Sequence, residues 1–281
     1  MFRLDRFLTL YFFQPLLKRN RLQTEAVIPI LMYHSISDDP EPGISSYYRI
    51  TTSPKRFREH MVWLYERGYS VIGLDEALRQ FEIKKTNLNH HVVLTFDDGY
   101  YDFLNQAWPI LENFGYTATV FLPTAFIGED RLQFKRRHCM TWSEARELIN
   151  CRISFGSHTV SHPKLYRLPW DEICRELRDS RLQIEDKLQT PVPFFSYPFA
   201  FPQEDRSYRR CFRQKLIDQG YLLSVTTIIG RARLNDDLLC LMRLPINNGD
   251  DEKFFQAKLL GNYDWMAKAQ FFFRKIKRLT S

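Results

Sequence analysis

Short apolar runs of strand length alternate with amphipathic stretches of helical period along most of this chain. The apolar runs predict strands at 29–33, 70–72, 92–96, 118–122, 153–156, 194–197, 222–226 and 239–244. The helical patterns between them cover 53–67, 74–81, 101–114, 143–150, 170–188 and 205–219. A chain that alternates strands with helices builds a parallel sheet, either open or closed into a barrel. In a barrel, catalytic residues collect where strands end, so the residues that follow the predicted strands are the candidates for chemistry.

Residues that begin and end helices support this division. Ser53 precedes Pro54, and Ser143 is predicted to cap the segment that follows Trp142. Three helical patterns end at a glycine that is followed by a tyrosine and a new strand, at Gly68, Gly115 and Gly220. The chain has no internal repeat and no Gly/Ser linker, so a single α/β domain is predicted over 29–248.

The composition of the chain says little about its partners or its location. The net charge of +7 suits an anionic partner, but the basic residues are dispersed and no nucleic-acid motif accompanies them, so no nucleic-acid partner is expected. The cysteines are scattered and form no C-x-x-C pair, which indicates reduced thiols and a cytoplasmic location. They are Cys139, Cys151, Cys174, Cys211 and Cys240.

The two ends of the chain are basic and aromatic. In the N-terminal segment, 1–28, an apolar run over 7–13 is broken by Gln14 and Pro15, so neither a cleavable signal peptide nor a membrane span is expected. The C-terminal segment, 249–281, is predicted to be a basic helical tail with phenylalanines at 271–273 beside Arg274 and Lys275. These ends indicate peripheral contact with the inner face of a membrane. The alternative is two ordinary helices packed on the domain.

Two adjacent carboxylates follow the strand at 92–96. Asp97 and Asp98 repel each other unless a positive charge lies beside them, and a divalent metal would supply it. One carboxylate can then bind the metal while the other serves as a base. The alternative is a solvated Asp-Asp-Gly turn.

Further candidate residues follow other strands. His158 and His162 lie four residues apart after the strand at 153–156, a spacing that lets two imidazoles reach one metal ion. Pro198 fixes the backbone before Phe199, so the Phe199 N–H could stabilise an oxyanion, although a hydrophobic turn explains the motif equally. His34 follows the strand at 29–33 and is a candidate general acid.

Together, Thr95-Phe96-Asp97-Asp98-Gly99 and His158-Thr159-Val160-Ser161-His162 resemble the polysaccharide deacetylase (NodB-like) family of carbohydrate esterases. The resemblance runs from about 29 to 244 and implies a distorted (β/α)7 barrel of the NodB-homology type. It further implies that Asp98, His158 and His162 bind Zn²⁺, with Co²⁺, Mn²⁺ or Ni²⁺ as alternatives. It makes Asp97 the base and the Phe199 N–H the oxyanion donor.

The chain departs from the family pattern at several positions. Ser196 stands where many members have an arginine that contacts the catalytic Asp, and Ala200 replaces a usual glycine. Arg243, at the end of the last strand, is predicted to supply the missing cation. No histidine follows His162, so His34 is predicted to be the acid, as in the subgroup with an N-terminal Tyr-His segment that resembles poly-N-acetylglucosamine deacetylases.

The resemblance therefore implies a metal-dependent hydrolase that removes N-acetyl or other N-acyl groups from amino sugars of a polysaccharide or a lipid-linked saccharide. Three alternatives stay open. The barrel could bind carbohydrate without catalysis, since Ser196 and Ala200 depart from the pattern. It could deformylate a lipid-linked amino sugar. The chain could also act only as a basic protein that binds membranes or nucleic acid, a hypothesis that rests on charge alone.

Overall fold

The computed structural model describes residues 3–19, 26–84, 88 and 90–280. Residues 1, 2 and 20–25 of the predicted N-terminal segment, and residue 281 of the predicted tail, lie outside the described residues. The strands are β1 Val27–Ile28, β2 Ile30–Tyr33, β3 Ser35–Ile36, β4 Thr51–Thr52, β5 Ser70–Ile72, β6 His91–Phe96, β7 Ala118–Leu122, β8 Gln133–Phe134, β9 Arg137–His138, β10 Ile153–Ser157, β11 Phe194–Ser196, β12 Leu223–Ile229, β13 Ala232–Arg233 and β14 Leu241–Pro245.

Within the described residues, seven parallel strands close into a barrel. Their order is β2-β14-β12-β11-β10-β7-β6, and β6 pairs back with β2 through Tyr33 and Phe96. The eighth strand of this sheet, β5, pairs with β6 over Ser70 and His91 to Ile72 and Val93 and lies outside the ring. Helices surround the barrel, which confirms the predicted (β/α)7 architecture.

The helices follow the predicted pattern closely. They are α1 Leu4–Leu8, α2 Gln14–Arg19, α3 Pro54–Glu66, α4 Leu74–Glu82, α5 Trp108–Asn113, α6 Trp142–Ile149, α7 Trp170–Leu188, α8 Arg206–Asp218, α9 Glu252–Leu259 and α10 Trp265–Thr280. A π-helical turn, Thr9–Phe13, joins α1 to α2, and another, Phe103–Ala107, precedes α5.

The capping predictions had mixed outcomes. The Ser53 hydroxyl accepts a hydrogen bond from the Arg56 N–H at the start of α3, as expected. The prediction for Ser143 was wrong, because α6 already begins at Trp142 and Thr141 is its cap. Thr141 and Glu144 form a reciprocal capping box, which satisfies two backbone N–H groups where Ser143 could satisfy one.

Three pairs of two-residue strands were not predicted: β1 with β13, β3 with β4, and β8 with β9. Two residues are too few to show a period, so no sequence pattern marks them. The β8–β9 hairpin matters for function, because it lies beside the polar end of the barrel. No helix in the described ranges is both long and apolar enough to cross a membrane.

Close packing inside the barrel fixes the strand that carries the two histidines. A Cβ atom at Gly156, on β10, would lie 2.5 Å from the ring of Phe121 and 3.0 Å from the carbonyl oxygen of Phe194. Only glycine fits this position without moving β7 or β11. The two residues that follow, Ser157 and His158, therefore leave the barrel from a tightly defined point.

Candidate metal centre and active site

The sequence-predicted site residues meet at the carboxyl ends of the barrel strands. Asp97 and Asp98 follow β6, and His158 and His162 follow β10. Arg243 lies within β14. In the ring, one strand, β12, separates β14 from β11. All five side chains are buried in the folded protein. Residues that are up to 146 positions apart along the chain are thus brought together because parallel strands end at the same rim.

Asp98, His158 and His162 form a compact set of potential metal ligands. The Oδ1 atom of Asp98 lies 3.5 Å from Nε2 of His158 and 3.3 Å from Nε2 of His162. One ligand atom from each residue lies within 4.8 Å of the others. One carboxylate and two imidazoles leave coordination positions open, which is the arrangement of a catalytic rather than a structural metal site.

Hydrogen bonds prepare these atoms to receive a cation. The Nδ1–H of His158 donates to the carbonyl oxygen of Ser196 at 2.8 Å, so the lone pair of Nε2 points towards Asp98. The Oδ1 atom of Asp98 is buried and has no hydrogen-bond donor among the described residues. Two acceptors that face each other without a proton between them are unfavourable unless a positive charge binds both. These residues therefore fit a divalent metal ion.

The ionisation of the set suits metal binding. Burial lowers the pKa of His158 to about 4, so its imidazole is neutral and free to act as a ligand at neutral pH. Burial alone would raise the pKa of Asp98, but the neighbouring imidazole of His162 and the charge of Lys135 hold that pKa well below its usual value. Tyr100 also donates its hydroxyl to Oδ2 of Asp98 at 2.9 Å. The carboxylate is thus ionised and oriented before a metal binds.

A buried arginine holds the second carboxylate. The two terminal guanidinium nitrogens of Arg243 contact Asp97, with Nη1 at 2.8 Å from Oδ1 and Nη2 at 2.7 Å from Oδ2. The Ser196 hydroxyl donates to Oδ1 of Asp97 at 3.1 Å and accepts from Nη2 of Arg243 at 3.0 Å. Burial would raise the pKa of Asp97, yet Arg243 and the neighbouring histidines lower it to about 2. Asp97 is therefore ionised and fixed in orientation by a bidentate pair.

We expect Arg243→Met to destabilise the fold by about 3–5 kcal/mol, because it leaves the Asp97 carboxylate buried without its counterion. The difference in the free energy of unfolding between the parent and the variant should shrink as the pH falls from about 4 towards 2. In the parent, protonation of Asp97 removes a favourable pair, whereas in the variant it removes an unfavourable charge. Urea unfolding across this range tests the prediction.

The matched control is Arg213→Met, which breaks an exposed pair with Asp237 and should change stability little. Equal losses in the two variants, or a deficit for Arg243→Met that grows on acidification, would show that the buried pair does not stabilise the ionised form of Asp97.

Four residues at this site have a strained backbone. Asp98, Thr159, His162 and Phe199 are not glycines, yet their φ angles are +74°, +70°, +53° and +55°. This left-handed region is costly for residues with a side chain, and it persists only where the surroundings enforce it. The strain indicates that the strand ends are shaped to aim particular groups rather than to relax.

Phe199 and His34 lie on the rim of the site. The ring of Phe199 packs against the ring of His162, with centroids 4.6 Å apart, and its left-handed backbone turns the chain directly after Pro198. The Nε2 atom of His34 lies 3.9 Å from Oδ2 of Asp97, on a side chain that is only partly buried. The structure thus brings the predicted base and the predicted acid next to each other, with Asp97 buried and His34 nearer the surface.

Four further residues contact the site without having been singled out as functional. Tyr100 directly follows the Asp-Asp-Gly motif, a position that could have drawn attention to it. Ser196 was noted only as a departure, although it joins Asp97, Arg243 and His158. The β8–β9 hairpin adds Lys135, whose Nζ lies 3.3 Å from Oδ2 of Asp98. It also adds Phe134, whose ring packs on His162.

Comparison with known proteins places this geometry in a family context. Residues 84–215 match the polysaccharide deacetylase family model. YxkH of Bacillus subtilis (strain 168), which is named a polysaccharide deacetylase, is 29% identical over 237 residues, covering 84% of this chain and 77% of that protein. The poly-beta-1,6-N-acetyl-D-glucosamine N-deacetylase of Escherichia coli (strain K12) is 28% identical over 46% of this chain, but only over 20% of its own length.

A solved structure agrees with these sequence matches. The Streptococcus pyogenes deacetylase PplD, determined in complex with acetate, superposes with a TM-score of 0.71 and 26% identity. The match covers 84% of this chain and 99% of PplD. The predicted resemblance is confirmed at the level of the domain and of the barrel.

Proposed function

We propose that this chain, which carries a polysaccharide deacetylase domain, is a metal-dependent hydrolase that removes N-acetyl groups from amino sugars of a saccharide. One observation carries the proposal: a buried Asp-His-His set lies directly beside an ionised carboxylate that a buried arginine holds in place. The first group fits a divalent metal and the second fits a base, and both lie at the open end of the barrel.

The chemistry divides between the metal and the residues around it. A divalent ion held by Asp98, His158 and His162 would lower the pKa of bound water towards about 7 and polarise the amide carbonyl. We favour Zn²⁺, because it takes one oxygen and two imidazole ligands readily, while Co²⁺, Mn²⁺ and Ni²⁺ accept the same donors.

The remaining residues move the protons. Asp97 removes a proton from water as the oxygen forms a bond to the carbonyl carbon, and Arg243 keeps that carboxylate ionised and correctly oriented. The Phe199 N–H donates to the oxyanion that develops on the carbonyl oxygen. His34 then donates a proton to the sugar nitrogen as the carbon–nitrogen bond breaks. The products are acetate and a free amino sugar.

The structure bears on the alternative of an inactive carbohydrate-binding barrel. That alternative rested on Ser196 and Ala200 standing where an arginine and a glycine were expected. Arg243 reaches the same carboxylate from β14, and Ser196 bridges the two groups. A protein that only binds saccharide has no need of a buried, arginine-paired carboxylate beside a metal-type site, which favours the catalytic proposal.

Acetate release from a panel of N-acetylglucosamine oligomers tests the proposal. The protein is first treated with a chelator and then assayed alone and with Zn²⁺, Co²⁺, Mn²⁺ or Ni²⁺ restored. Metal-dependent acetate release supports the proposal. Formate released from N-formyl sugars, with no acetate from any N-acetyl substrate, would favour the deformylase instead. Saccharide binding without acyl release would favour the inactive barrel.

Replacing His34 with alanine should lower kcat by roughly 10²–10⁴-fold, because the departing nitrogen would lose its proton donor. The metal affinity should stay unchanged, since His34 contacts Asp97 and not the ligand set. His90→Ala is the matched control, because His90 is exposed beside the start of β6, at the opposite end of the barrel. An unchanged kcat for His34→Ala across the pH range would reject the role of general acid.

A further inference from the structure

In the N-terminal helical segment, Leu4 to Arg19, two polar side chains are buried while several large apolar side chains are exposed. The buried positions include Asp5 and Thr9, which accept hydrogen bonds from the Tyr263 hydroxyl at 2.8 Å and from the Trp265 indole at 3.0 Å. The large exposed side chains of this segment include Leu4, Tyr11, Phe12 and Leu16. A surface helix ordinarily shows the opposite arrangement, so its apolar face is built to meet something other than water.

The C-terminal helix α10 adds a second apolar face. Its inner side is anchored by Gln270, which donates to the Thr227 carbonyl at 2.9 Å and accepts from the Ile229 N–H at 3.2 Å. Phe271, Phe272 and Phe273 are all exposed, with Phe273 showing 69% of its surface. Three consecutive exposed phenylalanines are unusual for a helix that already has its own packing partner.

The N-terminal helical segment contacts the first residue of α10, Trp265. The rings of Phe13 and Trp265 stack with centroids 4.7 Å apart and an interplanar angle of 12°. We use the name terminal face for the exposed apolar side chains of both segments. Its members are Leu4, Phe7, Tyr11, Phe12, Leu16, Phe271, Phe272, Phe273 and Ile276.

The terminal face lies at the catalytic end of the barrel. In the N-terminal segment, Arg3 donates to Asn247, just after the carboxyl end of β14. In α10, Gln270 binds Thr227, whose hydroxyl donates to the Phe199 carbonyl at 2.8 Å. Phe199 is itself on the rim of the candidate active site. Any partner that binds the terminal face is therefore also held close to the barrel mouth, the open end where the carboxyl ends of the strands meet.

The charge around the terminal face is positive. Helix α10 contains no acidic residue, and its basic residues Lys268 and Lys275 are exposed. In the N-terminal helical segment, Leu4 to Arg19, the single acidic residue, Asp5, is buried and paired with Arg3. An aromatic face edged with basic side chains matches the interface of a bilayer that carries anionic headgroups.

We propose that the terminal face docks on a membrane containing anionic phospholipid and holds the barrel mouth against it. The helices then lie in the interface, with the phenylalanines among the acyl chains and the basic side chains near the headgroup phosphates. A saccharide carried by a membrane lipid would reach the site directly. That last statement rests on the proposed function, whereas the docking itself does not.

Co-sedimentation with vesicles tests the docking. The full-length protein is mixed with vesicles of phosphatidylcholine and phosphatidylglycerol in equal parts, and with vesicles of phosphatidylcholine alone. We expect binding to the anionic vesicles that weakens as salt is added. Two double variants, Phe271→Ser with Phe272→Ser and Tyr11→Ser with Phe12→Ser, should each reduce the partition coefficient at least about tenfold.

The control is Leu182→Ser with Leu222→Ser, which removes two exposed leucines away from the terminal face. It should bind vesicles like the parent. Deacetylation of soluble N-acetylglucosamine oligomers should be unchanged in all three double variants, which shows that they are folded and separates docking from catalysis.

Several results would overturn the docking proposal. They are a parent protein that does not bind anionic vesicles, terminal-face variants that bind as the parent does, and equal binding to both kinds of vesicle. A dimer that the terminal-face variants dissociate, together with no vesicle binding, would assign the face to a second copy of the chain. Vesicle binding without any deacetylation would leave the docking intact and reject the proposed function.

Discussion

Asp97→Asn should lower kcat by about 10²–10⁴-fold while leaving the affinity for metal nearly unchanged. The substitution preserves the size of the side chain but removes the negative charge that accepts a proton from water. Asp97 forms its hydrogen bonds with Arg243 and Ser196 rather than with the three metal ligands, so the substitution leaves the ligand set in place. Acetate release and calorimetric metal titration on the same preparation measure both effects.

The control for this prediction is Asp130→Asn, which changes an exposed carboxylate away from the site. A thermal melt must accompany the assay, because the asparagine leaves Arg243 buried without its counterion. A folded Asp97→Asn variant with the kcat of the parent would show that another group is the base. A folded variant that fails to bind metal would show that Asp97 belongs to the ligand set.

His158→Ala and His162→Ala should each lose metal affinity by more than the roughly 10–100-fold that the loss of an outer hydrogen-bond partner costs. Each removes one of only three protein ligands, and the remaining pair offers two donors instead of three. Activity should fall with metal occupancy. Calorimetric titration with Zn²⁺, followed by acetate release at saturating Zn²⁺, separates weak binding from impaired chemistry.

The matched control is His138→Ala, because His138 is exposed on the β8–β9 hairpin. It should bind Zn²⁺ as the parent does, even though it lies in the same loop as Lys135. Parent-like affinity in either His158→Ala or His162→Ala would remove that residue from the ligand set. A large loss in His138→Ala would place a ligand on the hairpin that the present arrangement does not include.

The sequence was sufficient to predict the barrel and the position of its chemistry. The strand at 92–96 ends in Asp97 and Asp98, and a parallel barrel brings its strand ends to one rim, so their meeting with His158 and His162 follows from topology alone. Arg243 was expected from the absence of the usual arginine, and the structure places its guanidinium on Asp97 at hydrogen-bonding distance.

Other features depend on contacts that no local pattern shows. Ser196 is a small residue on a buried strand, and its link between Arg243, Asp97 and His158 exists only once three strands are side by side. The β8–β9 hairpin has too few paired residues to leave a periodic signal, so the approach of Lys135 to Asp98 was not predicted.

The terminal helices show a different limit of prediction from sequence. Their composition indicated membrane contact, but composition could not tell which side chains face outward. Asp5 and Thr9 are buried because Tyr263 and Trp265 donate hydrogen bonds to them. These contacts turn Tyr11 and Phe12 to the outside. The orientation of the N-terminal segment is therefore set by residues more than 250 positions away.

The central claim is that Asp98, His158 and His162 bind one catalytic metal ion next to Asp97. A crystal structure of the Zn²⁺-treated protein, with anomalous data collected at the zinc absorption edge, tests it most directly. The account predicts a single strong peak within bonding distance of Asp98 and both imidazoles, with the Asp97 carboxylate still paired to Arg243 and facing the open side of the ion. A peak elsewhere, or none at this site, would contradict it.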